Sequence, residues 1–171
     1  MRIYEGSPRQ DFEEVFRSIG AFLDQRGMRE ILLVEAPDGF IVQGLVARGG
    51  SSGSWSESMG AIDKETLTFL DDDIARFMDD SLARRGAAEA SKGDSGFYER
   101  ALRVIGRYID DQRPKDVFLF EQGGAFVVRL HQAGQTGGHH NLTEFTAEDI
   151  TTLVAQGPSR RTPSTAPGAA G

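Results

Sequence analysis

Apolar residues at Phe12, Val15, Phe16, Ile19, Phe22 and Leu23 recur every three to four positions. This is the one-sided stripe of an amphipathic helix packed on a core. Ser7-Pro8-Arg9-Gln10, just upstream, has the makings of a capping box with proline at the first helical position, and Gly27 is placed to end the helix in the left-handed region. The same stripe returns at Tyr98, Ala101, Leu102, Ile105, Tyr108 and Ile109, and Pro114 pushes the residue before it out of the right-handed helical region.

Each helix is followed by a short apolar run, Ile31 to Val34 and Val117 to Phe120. Successive strand residues point to opposite faces, so a run apolar at nearly every position predicts a strand covered on both sides. Ala36-Pro37-Asp38-Gly39 and Gln122-Gly123-Gly124-Ala125 are tight-turn sequences that fold each run back as a hairpin, with returning strands Phe40 to Val46 and Phe126 to His131. On those strands Gln43 and Arg129 fall on the face opposite Phe40, Val42, Phe126 and Val128. Thr66 to Leu70 and Asn141 to Phe145 predict a third strand in each set. Helices opening on acids follow, with Ile74, Phe77, Met78 and Leu82 as the apolar side of one and Ile150, Leu153 and Val154 of the other.

The two halves are related in detail. Shifting the chain by 103 − 17 = 86 positions brings Arg17, Ile19, Gly20, Asp24, Leu33, Glu35, Phe40 and Val42 onto Arg103, Ile105, Gly106, Asp110, Leu119, Glu121, Phe126 and Val128. Beyond the third strand the offset becomes 150 − 74 = 76, which places a contraction in the preceding loop of the second half. The expected organisation is a tandem duplication: a first helix-strand-strand-strand-helix unit over 1–86, a linker over 87–95, a second unit over 96–157 and a disordered tail over 158–171. Three strands and two helices are marginal alone, so the expected fold is α+β, with both units packed as one domain about a pseudo-two-fold axis. Gly20 and Gly106 interrupt otherwise good helices at matching positions, which points to a close backbone approach there.

Composition narrows the class of function. The 171 residues are 39% hydrophobic and 26% charged, with no cysteine, which rules out disulfides, thiolate chemistry and cysteine-based zinc sites. A net charge of -7 disfavours nucleic acid as a partner. No apolar run is long enough to span a bilayer and the N-terminus has no signal-like core, so a cytoplasmic protein away from membranes is expected.

Candidate chemistry is sparse. His131, His139 and His140 cluster around the glycine-rich stretch 132–138, which would bring imidazoles beside Glu144 for metal binding or acid/base work, but their spacing matches no metal-ligand pattern and suits a solvated loop. Glu35 and Glu121 end their strands at equivalent places and are candidates for paired carboxylates, although a hairpin end is also an ordinary site for an exposed glutamate. Asp71-Asp72-Asp73 offers carboxylates for magnesium, yet sits where a helix N-terminus favours acids in any protein. The only tryptophan, Trp55, lies in the glycine- and serine-rich segment 48–60 as a candidate anchor for a partner or a plug for the core. Arg84-Arg85 corresponds to Arg160-Arg161 at the second offset, either as a contact for an acidic partner or as a helix C-terminal cation pair.

These features favour a non-catalytic protein-interaction or assembly module over an enzyme, with Trp55, Arg84, Arg85, Gln43 and Arg129 as candidate partner-binding residues. The expected partner is another protein, homo-oligomers included, and no cofactor is expected. The alternative is a small metal-dependent hydrolase or ligand-binding sensor using His131, His139, His140, Glu35 and Glu121.

Overall fold

The computed structural model describes residues 11–47, 62–70, 72–74, 76, 96–132 and 137–156. Its elements are helix α1 (Phe12–Arg26), strands β1 (Arg29–Ala36), β2 (Gly39–Ala47) and β3 (Ile62–Leu70), helix α2 (Phe97–Gln112), strands β4 (Asp116–Gln122), β5 (Ala125–Gln132) and β6 (His139–Phe145), and helix α3 (Ala147–Ala155). Between β3 and α2, Asp72 to Ile74 and Arg76 are helical. The predicted linker 87–95 and tail 158–171, together with Trp55, Arg84, Arg85, Arg160 and Arg161, lie outside the described residues.

The fold is α+β, and all the strands form one antiparallel sheet in the order β3-β2-β1-β4-β5-β6. Each half supplies two hairpin-linked neighbours and one more strand. The halves meet at the centre, where β1 lies antiparallel to β4 with Leu32 opposite Phe120, Leu33 opposite Leu119 and Val34 opposite Phe118. The hairpin from β4 to β5 turns on Gly123 (φ 60°) and Gly124 (φ 83°), consecutive left-handed residues that suit a two-residue loop between twisted strands. In β1, Glu30 takes φ 51° as the register with β2 slips between Arg29 and Leu32, so a bulge sets Ile31, Leu33 and Glu35 on the core side.

One apolar core joins helices and sheet. Phe12 and Phe16 of α1 meet Phe40 of β2 edge-on at 6.1 Å and 5.5 Å, while Phe97 stacks on Phe126 of β5 at 5.9 Å. Farther out, Phe22 meets Phe69 at 5.5 Å and Tyr108 meets Phe145 at 5.2 Å. Ile150 of α3 and Ile74 are buried in the same cluster.

Helices α1 and α2 run antiparallel against one another and are locked at both ends. A Cβ built on Gly20 would lie 2.8 Å from the Glu99 Cα and closer still to the Tyr98 carbonyl. One built on Gly106 would lie 2.8 Å from the Glu13 Cα and likewise meet the Phe12 carbonyl. Asp110, near the end of α2, accepts from the Phe12 and Glu13 N–H groups (both 3.0 Å), and Asp24, near the end of α1, accepts from Tyr98 (3.0 Å) and Glu99 (2.9 Å). Each helix therefore supplies a carboxylate to the first two N–H groups at the start of the other. Ion pairs flank the seam: Arg17 with Glu99 (3.1 Å) on one side, and Arg103 (3.1 Å) and Arg107 (2.8 Å) with Glu13 on the other.

Several sequence expectations need correction. Helix α1 starts from Asp11, whose side chain accepts from the Glu14 N–H, rather than from Ser7, which lies outside the described residues. The expectation that β1 and β4 are covered on both sides fails among the described residues: α1, α2 and α3 all pack on one face. Strands at the centre of an antiparallel sheet can be apolar on both faces while only one is buried against helices.

A candidate interaction face

Alternation along the strands places Ile41, Gln43 and Leu45 of β2, Leu32 and Val34 of β1, Phe118 and Phe120 of β4, Val127 and Arg129 of β5, and His140, Leu142 and Glu144 of β6 on the face away from the helices. No described element covers this face. Its centre is apolar across four adjacent strands, because Val34 stands opposite both Ile41 and Phe118, and Phe120 opposite both Leu32 and Val127. Ile41 is 37% exposed and Phe120 36%, large side chains that a buried face would have enclosed. Phe118 and Phe120 lie edge to face at 6.3 Å, and the Arg129 guanidinium sits over the Phe118 ring at 4.9 Å. Arg129 thus caps the aromatic pair and borders the apolar strip with a cation. The structure brings Gln43, half-buried, and Arg129, exposed, onto this one face.

The carboxylates Glu35 and Glu121 do something other than was expected of either reading. Neither is an exposed hairpin-end glutamate, and they do not form a dyad. Glu121 is 8% exposed and accepts from the Ile31 N–H (3.3 Å), the Tyr98 hydroxyl (2.8 Å) and the Gly124 N–H (2.9 Å). Glu35 accepts from the Val117 N–H (3.1 Å). They occupy opposite ends of the β1–β4 contact, with Glu121 beside Ile31 and Glu35 beside Val117. Four residues of strand, roughly 13 Å, separate those two places. Each carboxylate takes the N–H where the central backbone pairing stops, which is a structural task. Burial pushes the Glu35 carboxyl up to about 7, the nearby Asp116 charge adding to the effect. Burial, helped by the Glu121 charge, pushes the Tyr98 hydroxyl upward.

The histidines are strand residues. His131 lies in β5, where the returning strand Phe126 to His131 was expected, whereas His139 and His140, expected on the loop before the third strand, begin β6. His131 and His140 are cross-strand partners whose rings stand 4.9 Å apart, and Asp116 is 3.3 Å from His131 Nδ1. Glu144 is paired with Val127 instead, four residues along the strand from His140. Among the described residues no three His, Cys, Asp or Glu side chains stand together as a metal-binding group. Asp73 accepts from the Leu70 N–H (3.4 Å) and pairs with Arg76 (2.6 Å), the ordinary work of an acid at a helix start.

Asp24 and Asp110 are the residues whose role the pattern concealed. A carboxylate in the last turn of a helix is unfavourable against the macrodipole, and its recurrence at the same offset was the available sign that it serves another element. Comparison with protein-family models, with curated proteins and with solved structures finds no match. No described helix is long and apolar enough to cross a membrane.

Proposed function

We propose that this chain is a non-catalytic protein-interaction or assembly module, built from two duplicated α+β units about a pseudo-two-fold axis, that holds a partner protein on its open sheet face. The observation that carries the reading is the apolar strip of Ile41, Val34, Leu32, Phe118, Phe120 and Val127, uncovered by any described element and bordered by Gln43 and Arg129. A flat apolar strip with a polar border is the composition of an interface centre and rim.

The duplication reading draws on contacts that recur at one offset. Leu33 opposes Leu119, and 119 − 33 = 86. Asp24 serves 98 and 99 while Asp110 serves 12 and 13; Gly20 faces 98 and 99 while Gly106 faces 12 and 13. A fused pair of this kind doubles the open face without needing a second chain, an arrangement suited to scaffolding more than to a cleft.

The test is affinity capture with the full chain, identification of the retained protein, and titration of that purified partner against variants. Ile41→Ser with Phe120→Ser, on the open face, should weaken binding at least about tenfold while leaving the melting temperature nearly unchanged. His131→Ala, His139→Ala and His140→Ala together should keep the partner. Unaltered binding by the face variant refutes the reading. Stoichiometric metal in the purified wild-type protein, lost in the triple histidine variant together with a catalytic or ligand-induced signal, would favour the hydrolase or sensor alternative.

A further inference from the structure

Beyond the open face, β6 presents a second surface, the outer edge of the sheet. All seven of its residues pair with β5 in unbroken register from Phe126↔Phe145 to Gln132↔His139, so the strand is regular along its whole length. Natural edges are blunted by lysine, proline, bulges or covering elements. The β6 sequence His139-His140-Asn141-Leu142-Thr143-Glu144-Phe145 has no lysine or proline, its pairing shows no bulge, and Leu142 is 68% exposed at its centre. The opposite edge is different, since β3 carries Asp63, Lys64 and Glu65.

We infer that β6 is a homodimerisation edge, pairing antiparallel with β6 of a second copy about a two-fold axis through Leu142. The occupant follows from the order of residues along β6. A two-fold perpendicular to the sheet pairs residues symmetrically about its centre, and only residues on the same face oppose one another. Centred on Leu142, it sets Leu142 against Leu142 of the other copy, His140 against Glu144 and Glu144 against His140. Asn141 then opposes Thr143 on the reverse face, two hydrogen-bonding side chains. Moving the centre to Asn141 or Thr143 sets Leu142 against His140 or Glu144 and loses both matches. The strand is self-complementary in one register.

The imidazole needed at position 140 is already positioned. His131, beside Asp116 at 3.3 Å, lies against His140 with the rings 4.9 Å apart and tilted by 31°, and limits where that ring can turn. Pairing would cover the most exposed large apolar side chain among the described residues, satisfy the outward N–H and C=O groups of β6, and extend both open faces side by side. This inference does not depend on what the open face binds.

Sedimentation equilibrium of the full chain, from micromolar to several hundred micromolar, tests it. The wild type should fit a monomer–dimer equilibrium, and Leu142→Lys should be monomeric throughout, with unchanged circular dichroism because the side chain is exposed in the monomer. His140→Glu puts glutamate against Glu144 and should raise the dimer Kd by about tenfold or more. Adding Glu144→Lys sets opposite charges across the pair and should recover most of that loss. The Ile41→Ser, Phe120→Ser variant should dimerise like the wild type. A monomeric wild type, a dimeric Leu142→Lys, or a charge swap that fails to rescue overturns the inference; loss of dimer only in the face variant would move the contact to the sheet face.

Discussion

Replacing Gly20 with alanine sets two effects of opposite sign against each other. In an ordinary exposed helix, Gly→Ala stabilises by about 0.4–1 kcal/mol, chiefly by restricting the unfolded chain. Here the new Cβ would stand 2.8 Å from the Glu99 Cα, with the Tyr98 carbonyl nearer still. Comfortable carbon–carbon contact is about 3.5–4.0 Å, so the helices must separate by roughly 1 Å. What blocks the Cβ is backbone, which cannot rotate out of the way as a side chain would. Overpacking of this kind costs about 1–3 kcal/mol. Separation also stretches the Asp24 bonds to Tyr98 and Glu99, now 3.0 Å and 2.9 Å, at the end of α2 that Gly20 touches. A weakened cap costs about another 0.5–2 kcal/mol. The net expectation is destabilisation of about 1–3 kcal/mol for Gly20→Ala, and a similar value for Gly106→Ala, whose Cβ meets Phe12 and Glu13 in the same way. The double variant should lose less than the sum, since helices already parted by one methyl accept the second more easily. Urea unfolding of the three variants measures this directly. A rise in stability for both single variants would show that the helices do not touch there.

Removing the Asp110 carboxylate by Asp110→Ala takes away the acceptor of the Phe12 and Glu13 N–H groups at the start of α1 and should cost about 2 kcal/mol in chemical denaturation, while Asp110→Asn, which keeps one acceptor, should cost clearly less. Glu35 has a folded-state value near 7 against an ordinary 4.5 because burial disfavours its charge, so its contribution is complete below about pH 4.5 and is lost as pH rises through 7. Glu35→Gln should therefore flatten the fall in stability over that window; an unchanged slope in melts taken at several pH values would assign it to another group. Residues 1–90 and 91–171 expressed separately each lose the helix caps and the central strand contact supplied by the other, and neither should melt cooperatively as a monomer. A sharp monomeric transition for each half, by calorimetry and light scattering, would show that the units fold independently.

Much of this architecture is legible in local sequence. Periods of 3.6 and 2 mark α1, α2 and the hairpins because amphipathicity is recorded residue by residue, and the glycine pair at 123–124 marks its own turn because only a few residues accept a left-handed backbone. Even the close approach at Gly20 and Gly106 is visible as a repeated defect in two good helices. What the other positions do depends on elements far away along the chain. Glu35 and Glu121 look like exposed strand ends until β1 and β4 lie side by side and give each an N–H to hold. Asp24 and Asp110 are unfavourable in their own helices and useful only to their neighbours. An apolar strand reads the same whether helices cover one face or both, so the open face of Ile41, Phe118 and Phe120 became apparent only once the helices were seen on a single side. The order of strands likewise decides that β6 is an edge, and an edge is a relation between elements that no local pattern records.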